Sequence, residues 1–234
     1  MPYYTREVRP QIPPVTLNII IINAIIFLGT LINENFMLGN FALYHPSSHY
    51  FKWWQIITHM FMHGGFWHLF FNMYTLFIFG MAVERTIGSR KFLIFYFLCG
   101  LGAAALHIGV QSLQAAAYAD KIAKGMSEAA MLLGRLKLTP TVGASGAIYG
   151  VLIGYAFLFP QNRLTLIFPP VSMSAKVMVL IFIGIELITG ITGTMDGVAH
   201  FAHLGGALIG YLLMLLWRHG GNIRRQFWGG GERY

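Results

Sequence analysis

The sequence predicts an all-α, polytopic membrane protein in which six transmembrane helices form a single compact bundle. Of the 234 residues, 56% are hydrophobic and only 10% are charged, whereas a soluble domain carries roughly 25% charged residues. A helix that crosses a bilayer needs about 17–25 mostly apolar residues. Six such stretches follow one another along the chain, at 17–32, 66–83, 92–112, 142–159, 177–194 and 199–217.

The six stretches use most of the chain and leave room for one bundle. We therefore expect three parts: a cytoplasmic N-terminal segment at 1–16, a six-span core at 17–217 and a basic cytoplasmic tail at 218–234. The first segment is polar, charged and proline-rich, and it has no apolar core of the kind that marks a secretory signal. The single cysteine, Cys99, lies in the third span, so no disulfide can form within the chain.

The distribution of positive charge predicts the orientation in the membrane. With the N-terminus placed in the cytoplasm, 11 of the 16 Lys and Arg residues fall in inner segments and 5 in outer segments. By the positive-inside rule, both termini are then cytoplasmic and the protein lies in the cell (inner) membrane. The same distribution explains the net charge of +8 as a topology signal near anionic lipid, so we expect no nucleic-acid partner.

Two outer connections are long. The loop at 33–65 is rich in aromatic residues, which favour the membrane interface, and it is expected to lie half-sunk in the outer leaflet. The connection at 113–140 carries helix formers with scattered charges between Ala115 and Leu138. The third span is therefore expected to project outside the bilayer or to continue as an amphipathic helix, until Thr139-Pro140 stops it.

Polar residues within the spans share one depth. Spans 2, 4 and 6 run in the same direction, so their first turns lie in one layer about 10 Å deep at 1.5 Å rise per residue. The intramembrane polar residues fall in those turns: His68 and Asn72 in span 2, Ser145 in span 4, and His200 and His203 in span 6. Serine and histidine are costly to place in lipid without partners, so this layer predicts a functional site.

Small residues would allow close approach of two of these spans. They recur at every fourth position: Gly146, Gly150 and Gly154 on span 4, and Ala202, Gly206 and Gly210 on span 6. Such spacing lets two helix backbones pack tightly. Ser145, which lies between Gly143 and Gly146, could then reach His203 with a hydrogen bond.

A serine and a histidine in contact predict nucleophilic catalysis. A serine hydroxyl is a poor nucleophile until a base takes its proton. His203 can take that proton and later give it to the leaving amine. No Asp or Glu is expected in the same layer, because Glu186 lies in the middle of span 5 and Asp196 in an outer loop. The sequence therefore predicts a Ser–His dyad and no third member.

Negative charge that develops on a substrate carbonyl needs hydrogen-bond donors. His68 and Asn72 are four residues apart and share one face of span 2, so their side chains can both point at that oxygen. The backbone N–H of Ser145, near a helix N-terminus, supplies a further donor. Tyr149 lies one turn below Ser145, where it either stacks on the imidazole or is simply a core aromatic residue.

These motifs resemble those of the rhomboid family of intramembrane serine proteases, over nearly the whole six-span core to about Trp217. The most specific matches are His63-x4-His68-x3-Asn72, Gly143-Ala144-Ser145-Gly146 and Ala202-His203-Leu204-Gly205-Gly206. The resemblance implies that Ser145 is the nucleophile and His203 the base. It also implies that His68, Asn72 and the Ser145 amide form the oxyanion hole and that Tyr149 packs against the histidine. No cofactor or metal is implied.

The resemblance further implies substrates that are transmembrane segments of membrane proteins, cut near the outer face at small residues. Two features depart from the family pattern or complicate it. The family often has Trp-Arg in the outer loop, whereas Trp54 is followed here by Gln55. His200 is a second histidine on nearly the same helical face as His203, and the Ala-His-x-Gly-Gly context favours His203 as the base.

Two alternative functions stay open. One is an inactive rhomboid-like protein that binds membrane proteins without cutting them. The other is a membrane metalloprotein with histidine ligands drawn from His59, His63, His68, His200 and His203. Against the metal, no carboxylate or cysteine is expected to accompany these histidines. The sequence leaves the natural substrate and the oligomeric state open.

Overall fold

The computed structural model describes residues 12–166, 170–192 and 198–219. The helices in these ranges are α1 Pro14–Ile32, α2 Glu34–Phe41, α3 Gln55–Thr58, α4 Phe66–Thr75, α5 Met81–Ile87, α6 Ser89–Ala123, α7 Glu128–Leu138, α8 Ser145–Leu158, α9 Ala175–Thr192 and α10 Val198–His219. A short 3₁₀ turn, His59–Phe61, follows α3. A π-helical segment, Leu76–Gly80, joins α4 to α5, so that the two form one continuous helix.

The predicted all-α bundle of membrane-spanning helices is confirmed. Five helices are long and apolar enough to cross a membrane: Pro14–Ile32, Phe66–Ile87, Ser89–Ala123, Ala175–Thr192 and Ala199–Arg218. The sixth apolar helix is the shorter α8. Most of the N-terminal segment predicted at 1–16, and most of the basic tail predicted at 218–234, lie outside the described residues.

The outer surface of the bundle is apolar, as contact with lipid requires. Ile25 and Leu31 on α1 are 62% and 68% exposed, and Ile188 and Ile191 on α9 are exposed to a similar degree. Without water to hydrogen-bond them, backbone groups in a bilayer must be satisfied within helices. These exposed faces therefore mark α1 and α9 as peripheral spans.

α8 lies at the centre of the bundle, between α6 and α10. Its residues Gly146, Ala147, Gly150 and Val151 are buried. With 14 residues, α8 is about 21 Å long at 1.5 Å per residue, against a hydrocarbon layer of about 30 Å. A helix this short is enclosed by full-length neighbours and does not by itself cross such a layer.

The inner connection between α8 and α9 contains a small antiparallel hairpin. Strand β1, Arg163–Thr165, pairs with strand β2, Ser172–Ser174, with Leu164 opposite Met173. Asn162 fixes the entry to α9, because its carbonyl accepts a hydrogen bond from the Ala175 N–H at 2.8 Å. The hairpin follows the C-terminal end of α8, opposite the end at which Ser145 lies.

The outer loop at 33–65 is anchored by the residue that departs from the family pattern. Gln55 is fully buried. Its side-chain oxygen accepts from the Lys52 N–H at 3.1 Å, and its amide donates to the Tyr50 carbonyl at 3.0 Å. Leu43 forms a β-bridge with Thr141, through hydrogen bonds of 2.9 and 2.8 Å. The loop is thereby fixed to the segment that leads into α8.

The third span continues beyond the bilayer as one helix. α6 has 35 residues, which at 1.5 Å per residue gives about 52 Å, well beyond the membrane thickness. Gly125, with φ +83°, allows the tight turn after it, and α7 packs back against α6. Of the two structures expected for 113–140, the projecting span is present, but the helix ends at Ala123 and not at Thr139-Pro140, and α7 is a separate helix that was not expected.

A buried carboxylate joins the start of the first span to the end of the second. Glu84, in α5, is 1% exposed. It accepts hydrogen bonds from the backbone N–H groups of Val15 and Thr16 and from the hydroxyls of Thr16 and Ser89, at 2.7 to 3.0 Å. The N–H groups in the first turn of a helix have no partner within it. Glu84 therefore caps α1 from a neighbouring span.

Candidate active site

Ser145 is the first residue of α8, so its backbone N–H has no acceptor within the helix. The turn before it depends on Gly143, whose φ of +136° is a backbone conformation that other residues rarely adopt. A Cβ atom at Gly143 would lie 3.1 Å from the His68 ring and 3.5 Å from Ser145 Oγ. Glycine therefore gives this turn both its shape and its open space.

The Ser145 hydroxyl contacts the imidazole of His203. Oγ of Ser145 lies 2.8 Å from Nε2 of His203, a normal hydrogen-bond distance. Tyr149 stacks on the same imidazole, with ring centroids 4.4 Å apart and planes 9° from parallel. The structure thus places Tyr149 against the histidine and not among the core aromatic residues alone.

The small residues of α8 and α10 face one another. A Cβ atom at Gly206 would lie 1.8 Å from the Gly146 carbonyl oxygen, and one at Gly210 would lie 2.8 Å from the Gly150 Cα. No side chain fits at either position, because the obstructing atoms are backbone. Since Ser145 and His203 lie beside these contacts, the close approach of the two helices brings Oγ and the imidazole together.

His68 and Asn72 lie on α4, on the side that faces Gly143 and Ser145. Nδ1 of His68 accepts a long hydrogen bond of 3.4 Å from the Gly64 N–H, which assigns the proton to Nε2, near Gly143. Asn72 is 7% exposed, and its Nδ2 has no hydrogen-bond partner among the described residues. An unpaired buried donor is costly. Both side chains can therefore donate to an oxygen that enters beside Ser145.

The expectation that no carboxylate lies in the polar layer is wrong. Glu186, on α9, accepts a hydrogen bond from the Tyr149 hydroxyl, and its Oε2 lies 3.0 Å from Nδ1 of His203. The error lay in the depth that the sequence analysis assigned to Glu186 along its span. Glu186 lies six residues before the outer end of α9, and His203 five residues after the start of α10. At 1.5 Å per residue, both lie about 7–9 Å from those ends.

His200 also contacts Glu186. Its Nδ1 lies 2.5 Å from Oε2, the same oxygen that approaches His203. The distance to His203 is within ion-pair range, but its N–H direction is not aligned for a hydrogen bond, and Nδ1 of His203 has no such bond to any described residue. A separation of 3.0 Å lets this contact become a hydrogen bond with a small rotation of the ring, as often happens when substrate binds in an active site.

The five histidines considered as metal ligands do not converge. In the described ranges, the group whose ligand atoms lie within 4.8 Å of one another consists of Glu186, His200 and His203. Contrary to the sequence-based expectation, a carboxylate therefore accompanies two of the histidines. An ion could enter only by replacing the protons that now join these side chains.

In the outer loop, burial lowers the pKa of His59 and of His63 to about 4, so both are neutral at pH 7.

A small cavity opens beside the serine. Small residues and one flexible side chain form much of its wall, among them Gly143, Gly146, Ala147 and Met60. Met60 also contacts Gly100, where an added Cβ atom would lie 2.1 Å from its terminal carbon. The cavity has room for a small side chain next to Ser145 Oγ.

Comparison with known proteins identifies the family. The rhomboid domain matches residues 50–219. The chain is 31% identical over 170 residues to Rhomboid protease AarA of Providencia stuartii, an alignment that covers 70% of this chain and 55% of that protein. It is 29% identical over 196 residues to RHOMBOID-like protein 12, mitochondrial, of Arabidopsis thaliana, covering 83% of this chain and 56% of that protein.

A third relative is the Presenilin-associated rhomboid-like protein, mitochondrial, of Rattus norvegicus, which is 31% identical over 165 residues and covers 68% of this chain and 38% of that protein. The fold and the site define a polytopic helical membrane protein with a serine–histidine pair between two spans. This chain belongs to the rhomboid family. It spans about half the length of the first two relatives.

Proposed function

We propose that this protein is an intramembrane serine endopeptidase that cleaves transmembrane segments of other membrane proteins. The observation that carries the proposal is the 2.8 Å contact between Ser145 Oγ and His203 Nε2, inside an apolar bundle. Family membership supports it, since one relative is named a rhomboid protease. A pair of this kind is costly to maintain in a membrane, which favours a catalytic purpose.

The chemistry follows from the geometry. As Oγ of Ser145 attacks the carbonyl carbon of the scissile bond, its proton passes to Nε2 of His203. The carbonyl oxygen becomes negative and accepts hydrogen bonds from His68, Asn72 and the Ser145 N–H. His203 then gives its proton to the departing amine, which leaves an acyl-enzyme on Ser145. Water, deprotonated by His203, hydrolyses that ester and restores the hydroxyl.

The cavity beside Ser145 supports a preference for small side chains at the cleavage point. The cavity, which is lined by Gly143, Gly146 and Ala147, has a volume of only about 40 Å³, which favours a small side chain over a large one. A helix that is to be cut must first unwind, and glycine makes unwinding easier because its helix propensity is about 1 kcal/mol less favourable than that of alanine. We therefore propose transmembrane substrates with small residues near the outer face.

The orientation and the membrane are part of the proposal. The excess of Lys and Arg in alternate connections, 11 against 5, supports cytoplasmic termini in a cell (inner) membrane, with segments 1–16 and 218–234 flanking the core at 17–217. Because Cys99 is fully buried, single introduced cysteines can report topology. In intact cells an impermeant maleimide should label Lys124→Cys and not Gln161→Cys; the opposite pattern would invert the orientation.

The decisive experiment combines covalent labelling with a model substrate. Purified protein in lipid vesicles should cleave a single-span substrate, and a fluorophosphonate should label Ser145. We expect Ser145→Ala to lose the labelling and to cleave the substrate roughly 10⁶ times more slowly, as a soluble serine protease does without its nucleophile. Its melting temperature should be unchanged. Cleavage by Ser145→Ala near the wild-type rate would refute the mechanism.

Ser112 offers a matched control. Its hydroxyl lies 3.2 Å from Nε2 of His45, so it too is a serine beside a histidine, but away from the polar layer. Ser112→Ala should cleave and label as the wild type does. Capture of substrates without cleavage by the wild type would favour the inactive-binder alternative. Loss of cleavage on chelation, restored by zinc, would favour the metalloprotein.

A further inference from the structure

A buried carboxylate stands behind the serine–histidine pair. Glu186 is 7% exposed. Its Oε1 accepts a hydrogen bond from the Tyr149 hydroxyl, and its Oε2 accepts one from Nδ1 of His200. One carboxylate thus connects three spans: α8 through the tyrosine, α9 through its own backbone, and α10 through the histidine. A carboxylate within a span is expensive unless it is paired.

The same carboxylate approaches the far side of the His203 ring. Nε2 of His203 faces Ser145 at 2.8 Å, and Nδ1 lies 3.0 Å from Glu186 Oε2. The imidazole therefore has the nucleophile on one side and a carboxylate on the other. If Nδ1 carries the ring proton, Nε2 is left as an acceptor, which is the state a general base needs.

Helix packing alone does not account for Glu186. An apolar residue would fill the space between α8, α9 and α10 without the cost of removing a charge from water, and replacing buried ion pairs by apolar residues often stabilises a protein. Both side chains that hydrogen-bond the Glu186 carboxylate lie beside the imidazole: Tyr149 stacks on His203, and His200 lies one turn before it on α10. The contacts converge on the histidine.

We propose that Glu186 is a positioning residue that makes the catalytic pair a three-membered array. This inference rests on the proposed protease function. Glu186 holds the proton of His203 on Nδ1 and orients the ring, both directly and through Tyr149. When Ser145 transfers its proton to Nε2, the imidazolium keeps its Nδ1 proton, and the carboxylate stabilises the positive charge without accepting that proton.

Other ionisable groups also face His203 or its neighbours. His200 lies on the same helix, Tyr149 on α8 and His68 on α4. On α6, the thiol of Cys99 faces Gly150, and Nε2 of His107 binds the Thr141 hydroxyl at 2.7 Å. Compared with these histidines, tyrosine and cysteine, Glu186 is the group whose side chain type is negatively charged near neutral pH.

The test is Glu186→Gln, which keeps the size of the side chain and removes its charge. We expect kcat, per fluorophosphonate-titratable site, to fall by about 10²–10³, less than the roughly 10⁴ known for the corresponding change in a soluble triad, because Tyr149 still stacks on the ring. KM should change by less than about threefold, since the loss falls on the transition state. Glu186→Asp, which keeps the charge, should recover at least about tenfold.

Two further measurements separate positioning from packing. Below neutral pH, the acid limb of the kcat/KM profile of Glu186→Gln should move to lower pH, because a neutral amide does not favour the charged imidazolium. Nitrogen NMR of His203 should show the Nδ1–H form in the wild type and a shift towards Nε2–H in the variant. Thr189→Val is the control on the same helix: its hydroxyl binds the carbonyls of Ile185 and Glu186, and its kinetics should match the wild type.

The outcomes distinguish this inference from the protease function. If Glu186→Gln keeps the wild-type kcat, pH profile and His203 tautomer, the positioning role is overturned while the protease function stands. If the wild type neither cleaves nor labels at Ser145, the protease function fails. A change of His203 tautomer in Glu186→Gln would in that case still support the positioning role.

Discussion

Two buried carboxylates, Glu84 and Glu186, lie at opposite ends of the bundle and differ in their partners. Glu84 is 1% exposed and accepts from backbone N–H groups and hydroxyls. Glu186 is 7% exposed and contacts two histidines and a tyrosine. Both carry the cost of a charge in an apolar setting, and both join three segments of chain.

The difference between the two carboxylates shows what distinguishes a structural cluster, at Glu84, from a candidate functional site, at Glu186. Every donor to Glu84 keeps its proton at any physiological pH, so this cluster can only hold helices together. Glu186 instead contacts histidines, the side-chain type that serves as general acid and base in catalysis, and one of them touches the hydroxyl of Ser145. Both carboxylates are buried, so the protonation chemistry of the partners carries the functional information.

The largest expected effect at the Glu186 end is the loss of His203, and His200 serves as its comparison. His203→Ala should lower turnover by roughly 10⁶, as loss of the base does in a soluble serine protease. His200→Ala should cost at most about tenfold, equivalent to roughly one hydrogen bond, because His200 contacts Glu186 and not the serine. Cleavage of a model transmembrane substrate in vesicles measures both. Equal losses would mean that the two histidines share the role of base.

A smaller loss is expected at the oxyanion donors. Asn72→Ala and His68→Ala should each reduce kcat by about 10²-fold, the lower end of the range for one such donor, because the remaining donors still face the oxygen. KM should hardly change. Asn23→Ala, which removes another buried amide far from the serine, provides the control and should keep the wild-type kcat. A raised KM with normal kcat would make these two side chains substrate-docking groups.

The smallest effect on turnover is expected at the opposite carboxylate. Glu84→Gln should destabilise the protein by about 3 kcal/mol, because an amide cannot accept from every donor that now meets the carboxylate. The kcat of the folded fraction should equal that of the wild type. Thermal unfolding in detergent and active-site titration measure the two quantities separately. A changed pH profile in Glu84→Gln would contradict the contrast between the two ends.

Much of the fold could be predicted from the sequence, because a bilayer limits what a span can be. Apolar runs of the right length located all six helices, including the short α8. The glycines at 146, 150, 206 and 210 indicated close approach, since only backbone contact needs them. The common depth of the polar residues followed from helix direction alone.

The parts that could not be predicted depend on contacts between spans. The depth of Glu186 was misjudged because span 5 runs opposite to its neighbours, so that position must be counted from its outer end. A carboxylate in an apolar span was itself the missed signal. Likewise, nothing local showed that Gln55 would anchor the outer loop, because its partners include Tyr44, eleven residues away.

The shortness of α8 has a consequence for the supply of water. Hydrolysis consumes a water molecule, and hydrocarbon excludes it. A central helix of 14 residues, with Ser145 as its first residue, is about 9 Å shorter than the hydrocarbon layer is thick. We therefore expect polar groups and water, and not lipid, to fill the missing length at the serine end. In this arrangement, water reaches Ser145 through the protein from one face of the membrane and does not have to cross lipid. In this geometry, the thickness of the surrounding lipid sets how far the reaction lies from bulk solvent.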